Sequence, residues 1–131
     1  MRKITEKTAG AFVDHRAFSM GNTFTNGKEL YLHGNLIARW AKDNQENEVL
    51  TITLAGWNTT TTRERVNGVL DLAGIDVRVV QRDFEPCLLS LKSGDLFGIS
   101  STDHYGFPVA EYHEAQRLIE QLEMDLAGGA A

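Results

Sequence analysis

The sequence has little cysteine and no long apolar segment. Cys87 is the single cysteine among 131 residues, which excludes an internal disulfide and supplies too few thiolates for a zinc ribbon or an iron–sulfur cluster. The apolar runs reach only a few residues, as at 36–38, whereas a transmembrane helix needs about 20. Residues 1–7 are charged, and no apolar signal-peptide region follows them. We therefore expect a protein that stays in a reducing cytoplasm and does not contact a membrane.

An excess of positive charge is also lacking. Lysine and arginine together number 13 against 18 acidic residues, which gives a net charge of −5 at pH 7. This balance argues against a protein that binds nucleic acid mainly by covering its phosphates. Much of the negative charge falls near the C-terminus, on Glu111, Glu114, Glu120, Glu123 and Asp125, against Arg117. We expect these residues to form a solvated helix face, with docking on a basic partner as the alternative.

Length and composition predict one folded domain. A chain of 131 residues matches the commonest domain size, and its 42% apolar and 24% charged residues are typical of globular proteins. We expect a single domain over 1–131, with a core over 1–99 and a C-terminal helix over 108–127. The apolar positions of that helix recur at a nearly heptad spacing, at Val109, Tyr112, Ala115, Ile119, Leu122 and Leu126.

Local patterns predict the remaining elements. Apolar spacings of three and four indicate a helix over 3–17, and Asn26-Gly27 is typical of a tight type I′ hairpin turn. Strands are expected over 28–33, 36–41 and 50–54, and later over 75–81 and 87–91. Thr61-Thr62-Arg63-Glu64 matches a capping box that starts a second helix, with a buried stripe at Val66, Val69, Leu70 and Ala73. Gly74 is expected to end this helix. The predicted fold class is α+β: an antiparallel β-meander sheet packed with two to three helices, including a long C-terminal helix.

The segment 57–65 is the first candidate binding site. A helix N-terminus offers unpaired N–H groups and a positive dipole end to an anion. Nearby hydroxyl, guanidinium and indole groups suit the phosphate and base of a nucleotide. The candidate residues are Trp57, Thr59, Thr60, Thr61, Thr62, Arg63 and Arg65. The alternative is structural, with the threonines as helix caps, the arginine stems over apolar surface and the tryptophan in the core.

The segment 31–35 is the second candidate. If Leu30 and Leu32 face the core, Tyr31 and His33 share the other face of the strand and can stack on or bond a ligand, with Asn35 just beyond. An exposed Tyr–His pair without any ligand is the alternative.

Motifs for catalysis and for metal binding are lacking. His15, His33, His104 and His113 include no pair at helical metal-site spacing, and no P-loop, dinucleotide-binding or nucleophile-elbow pattern occurs. Nothing assigns a general acid or base. We expect no catalytic residue, no metal and no cofactor.

Several segments together resemble one family. They are Arg2-Lys3-Ile4-Thr5, Gly21-Asn22-Thr23, Leu30-Tyr31-Leu32-His33-Gly34-Asn35-Leu36-Ile37-Ala38, Ile52-Thr53-Leu54-Ala55-Gly56-Trp57, and Thr61-Thr62-Arg63-Glu64-Arg65-Val66-Asn67. Over residues 1–82 the chain resembles a family of small bacteriophage accessory proteins. The resemblance implies a phage protein that acts in the host cytoplasm, and it implies no reaction.

The leading hypothesis is therefore a non-enzymatic phage protein that sequesters a small nucleotide-like anion, such as a signal of host defence. A sponge of this kind needs ground-state binding without transition-state machinery. The alternative is an inhibitor that binds a host protein or nucleic acid through the acidic C-terminal helix or through a patch of Arg63 and Arg65. The heptad-like spacing also predicts a homodimer or higher homo-oligomer.

Overall fold

The computed structural model of the protein describes residues 1–109. In chain order the elements are α1 (Lys3–Val13), β1 (Ala17–Met20), β2 (Thr23–Asn26), β3 (Glu29–Leu32), β4 (Asn35–Lys42), β5 (Glu48–Ile52), α2 (Thr60–Leu72), β6 (Val77–Arg82), β7 (Glu85–Ser90), β8 (Leu96–Gly98) and β9 (Tyr105–Pro108). Among these residues no helix has the length and apolarity needed to cross a membrane.

The strands form two antiparallel sheets. The larger has the order β1-β2-β3-β4-β5-β9, so β9 returns from far along the chain to pair with β5. The smaller has the order β6-β7-β8. Short connections join most neighbouring strands, as expected for antiparallel pairs.

The predicted α+β class is wrong. The described residues are mainly antiparallel β-structure in two sheets with two short helices. The five predicted strands correspond to β3–β7, whereas β1, β8 and β9 were not predicted and β2 was indicated only as an extended stretch before Asn26. These strands have three or four residues, too few for an apolar alternation to stand out. The predicted helix over 108–127 lies outside the described residues apart from its first two positions, and Pro108 belongs to β9.

The first helix is shorter than predicted. Its apolar spacing continues to His15, but the helix ends at Val13 and His15 has a φ of 58°, in the left-handed region. Residues 17–20 then form β1. The apolar spacing of the sequence therefore extends past the end of the helix, into the turn before β1.

The core lies where the helices pack on the larger sheet. Phe12 of α1 is fully buried and stacks on Trp40 of β4, with ring centroids 5.2 Å apart. The Trp40 indole N–H donates to the Phe12 carbonyl oxygen at 2.9 Å, which satisfies its polar atom within the core. The predicted stripe of α2 is confirmed as buried: Val66, Val69, Leu70 and Ala73.

The second helix begins two residues earlier than the predicted capping box. Thr59 is the N-cap, and its hydroxyl accepts from the Thr62 N–H at 3.1 Å. Glu64 does not reach back to cap the helix; its carboxylate accepts from Thr5 and Arg65 instead. The predicted stop at Gly74 is confirmed by its φ of 76°, a conformation in which glycine ends helices.

Candidate functional site

A pocket of about 390 Å³ brings the two candidate segments together. One wall comes from β3, β4 and their turn, and the other comes from the loop before α2 and the first turn of that helix. The lining residues are Leu32, His33, Asn35, Ile37, Leu54, Ala55, Trp57, Thr59, Thr61 and Thr62. We call this cavity the Trp57 pocket. Its volume lies at the low end of the range of about 300–1,000 Å³ that is typical of small-molecule sites.

Left-handed backbone shapes both walls of the pocket. His33 and Gly34 have φ values of 50° and 77° in the β3–β4 turn, and Ala55 and Gly56 have values of 54° and 83° after β5. Residues other than glycine rarely adopt a left-handed backbone conformation, and those that do are found mainly at functional sites. The second turn is tied down by the Gly56 N–H, which donates to the Ser101 carbonyl oxygen at 2.8 Å. The pocket is therefore built by turns with a defined shape.

The pocket has an apolar floor and a polar rim. Leu32, Ile37 and Leu54 are buried beneath it, whereas the side chain of Trp57 is 58% exposed at its edge. His33 adds the only titratable side chain among the lining residues, and its ring nitrogen lies 3.4 Å from the Asn22 amide. An exposed indole over an apolar floor suits a flat ring better than an extended chain.

Hydroxyl groups surround the helix start at the other side of the pocket. The hydroxyls of Thr59 and Thr62 lie 2.8 Å apart, and that of Thr59 also caps the helix. The N–H groups of Thr60 and Thr61 belong to the first turn, where no carbonyl oxygen of the helix can accept them. This side of the pocket can therefore donate hydrogen bonds to an anionic or hydroxylated ligand.

Arg63 lies beside the pocket without lining it. Its guanidinium donates to the backbone oxygen of Asn58 at 3.1 Å and to the side-chain oxygen of the same residue. It also reaches the Thr60 hydroxyl at 3.5 Å. Arg63 thus braces the loop that presents Trp57, and its partly buried charge stays close to the helix start.

Arg65 is buried away from the pocket. It is 2% exposed, and its guanidinium donates to the hydroxyls of Thr23 at 3.0 Å and Thr5 at 2.8 Å and to the carboxylate of Glu64. The structure therefore does not bring Arg63 and Arg65 together into the predicted basic patch. Two residues apart on a helix, their side chains leave in different directions.

The charge of Arg65 is balanced by Glu64. Burial by itself would raise the pKa of the Glu64 carboxyl, but hydrogen bonds from Thr5, from the Arg2 N–H and from Arg65 outweigh it. The net result is a Glu64 pKa below its ordinary value, so this carboxylate is ionised at neutral pH and matches the guanidinium.

Tyr31 also lies outside the pocket. Its ring stacks on Phe24 of β2 with the centroids 6.0 Å apart, and its hydrogen bond with Glu29 raises the pKa of the phenol. Of the ten candidate residues, the pocket gathers six: His33, Asn35, Trp57, Thr59, Thr61 and Thr62. The sequence did not indicate the apolar floor of the pocket, because Leu32, Ile37 and Leu54 follow the same alternation of apolar and polar residues as ordinary core positions of a strand.

The described part of the chain contains no cluster of side chains that could bind a metal ion. Within residues 1–109, no three side chains of His, Cys, Asp or Glu are placed to hold one ion. Cys87 is a buried cysteine of β7.

Comparison with known proteins gives one finding. The family model described as Kyanoviridae Gp96 protein matches residues 1–112, so the match runs past residue 82, where the resemblance noted in the sequence ends. No curated protein and no solved structure matches the chain.

Proposed function

The chain belongs to the Kyanoviridae Gp96 protein family, a phage protein family, and from that premise we propose that it binds a small nucleotide-like ligand in the Trp57 pocket. In the proposal the ligand is held in the host cytoplasm and released unchanged. Binding of this kind lowers the free concentration of a signalling nucleotide, which would counter a host defence that depends on it.

The observation that supports the proposal is the composition of the Trp57 pocket. An exposed indole stands over the buried side chains of Leu32 and Leu54, and hydroxyls and free N–H groups of a helix start lie opposite. A base can stack on Trp57 while the sugar or phosphate accepts hydrogen bonds from Thr61 and its neighbours. In the proposal, the segments 31–35 and 57–65 each supply one side of the nucleotide site.

The side of the pocket that would hold the phosphate has little positive charge. Within residues 1–109, the pocket lining includes no lysine or arginine, and the half-buried Arg63 bonds Asn58 and Thr60 beside it. We therefore propose that stacking and hydrogen bonds provide most of the affinity and that charge provides a smaller part. Binding should accordingly weaken only slightly with added salt.

The proposal includes no turnover. Acid–base chemistry on a phosphate or glycosidic bond needs positioned acidic and basic side chains, and His33 is the single side chain of these kinds among the lining residues. Incubation of nucleotide with the protein, followed by chromatography, should return the nucleotide intact. Appearance of a product would contradict sequestration.

Replacement of Trp57 tests the binding site directly. We expect isothermal titration with a panel of nucleotides to find at least one that binds below about 10 μM, which is roughly −7 kcal/mol. Trp57→Ala should weaken that ligand by about ten- to a hundredfold, because a stacked base contributes about 1–3 kcal/mol.

Phe24→Ala is the matched control, since Phe24 is also an exposed aromatic residue but stacks on Tyr31 outside the pocket. It should leave the affinity unchanged. A panel without any binder, or equal losses in the two variants, would contradict the proposal. A host protein captured from lysate in the absence of nucleotide binding would favour the inhibitor hypothesis instead.

A further inference from the structure

The turn between β6 and β7 contains an unusual aromatic residue. Asp83 and Phe84 connect Arg82 to its ladder partner Glu85, and their φ values are 51° and 66°. Two-residue turns with both φ values positive favour asparagine, aspartate and glycine. Phe84 is 87% exposed at this tip. A bulky side chain therefore occupies a position where glycine would fit without strain.

This arrangement is unfavourable to the free protein in two ways. A left-handed φ is costly for a residue with a large side chain, and an exposed phenyl ring gains nothing from the core. Residues with a strained backbone cluster at active sites, ligand clamps and switch regions. Phe84 thus has the features of a contact residue.

A hydrogen bond connects the turn of Phe84 to the loop that follows Trp57. The Asn58 amide donates to the Phe84 carbonyl oxygen at 3.3 Å, and Asn58 follows Trp57 directly in the chain. Asn58 also accepts two hydrogen bonds from Arg63. We call these four residues, Trp57, Asn58, Arg63 and Phe84, the Asn58 cluster. It contains two exposed aromatic rings and one guanidinium around a single asparagine.

The volume of the Trp57 pocket limits what can enter it. At about 390 Å³ it suits one base with its sugar. A larger ligand must extend over the rim, where Trp57 is followed by Asn58, the residue that bonds the Phe84 carbonyl oxygen.

We propose that the ligand has two flat aromatic rings joined by a phosphate-bearing linker, as in a dinucleotide. One base stacks on Trp57 in the pocket, the other stacks on Phe84, and the linker passes Arg63, whose positive charge favours its phosphate. This inference rests on the proposed function and names the ligand class of the same site.

The test compares AMP with the linear adenylyl dinucleotide, which has one phosphate as well. Isothermal titration should show the dinucleotide binding at least about tenfold more tightly than AMP, because one more base is stacked. Phe84→Gly should bring the dinucleotide to within about threefold of AMP and leave AMP unchanged. The same variant should melt at an equal or higher temperature, since glycine relieves the left-handed strain.

Phe97→Ala is the matched control. Phe97 is a half-exposed aromatic residue on β8 of the same sheet, and its removal should not affect either ligand. Trp57→Ala should weaken both ligands.

The outcomes separate the two proposals. If AMP binds and Phe84→Gly leaves the preference for the dinucleotide intact, or if there is no such preference, the two-ring ligand is overturned and the pocket remains. If neither ligand binds wild-type protein, both proposals fail for adenine ligands. A host protein that is captured by wild type and lost with Phe84→Gly, while dinucleotide affinity is unchanged, would assign Phe84 to a protein interface and overturn the inference.

Discussion

At the scale of single residues, the two arginines at the start of α2 have different tasks. Arg63 remains partly accessible and braces the loop of Trp57 through Asn58. Arg65 is buried and joins α2 to Thr5 of α1 and Thr23 of β2. A buried guanidinium is tolerated only when its charge and its N–H groups are matched. Loss of ligand binding in an Arg65 variant would therefore report on folding.

The ion pair of Glu64 with Arg65 leads to a pH-dependent prediction. Because the Glu64 pKa is lowered in the folded state, its contribution to stability is present at neutral pH and is lost as the pH falls through that lowered folded-state pKa. Glu64→Gln should reduce the free energy of unfolding by about 1–3 kcal/mol at pH 7.

Thermal melting from pH 7 down to pH 3 checks this prediction. The difference between wild type and Glu64→Gln should shrink as the pH decreases. Glu6→Gln, a change at an exposed carboxylate of α1, serves as the control and should change stability little. A difference that stays constant with pH would show that the ionised carboxylate contributes nothing.

At the scale of elements, the two helices approach each other closely at one glycine. A Cβ atom built on Gly68 of α2 would lie 2.3 Å from the Thr5 Cγ2 of α1, and Thr5 is fully buried. The side chain of Thr5 cannot retreat, because its hydroxyl bonds Glu64 and Arg65. The hydrogen bonds of Thr5 therefore hold its side chain in close contact with Gly68.

Two glycine substitutions should have opposite effects on stability. Gly68→Ala should destabilise the protein by about 1–3 kcal/mol, because overpacking outweighs the helix propensity gained. Gly10→Ala in α1 should stabilise it by about 0.5–1 kcal/mol, since nothing lies within 4 Å of the added carbon. Urea denaturation of both variants measures these changes, and equal shifts in the same direction would contradict the packing argument.

At the scale of the whole molecule, the Trp57 pocket depends on parts that are distant in the chain. The β3–β4 turn, the loop before α2 and the Ser101 region meet there, and the β6–β7 turn adds Phe84 through Asn58. The loop that presents Trp57 is therefore connected to the hairpin of the smaller sheet through one hydrogen bond.

The homodimer stays a prediction at this scale. It derives from the heptad-like spacing in 109–126, and positions 112, 115, 119, 122 and 126 lie outside the described residues. Light scattering on the full chain should give twice the mass of 14.6 kDa. Leu122→Glu should reduce the mass to that of one chain, because a charge is not tolerated in an apolar seam. A monomer for the wild type at high concentration would refute the prediction.

The sequence by itself determined the elements whose signals are local. The alternation at Leu50 and Ile52 predicted β5, and the stripe from Val66 to Ala73 with Gly74 predicted the buried face and the end of α2. It also singled out both segments that line the Trp57 pocket. These features depend on residues within a few positions of one another in the chain. Over that distance the geometry of a helix or strand by itself fixes which side chains share a face.

Only the tertiary structure decided which candidate residues meet. Arginine is a residue type that often binds anionic ligands, and the sequence therefore made Arg65 a candidate. In the structure Arg65 is buried and bonds Thr5 and Thr23, which lie 60 and 42 positions away in the chain. Phe84 gave no signal in the sequence, because its exposure and its place beside Asn58 arise from the packing of a distant hairpin. The short strands at the sheet edges have three or four residues and too little preference of their own, so they form only by pairing with another strand, as β9 does with the distant β5.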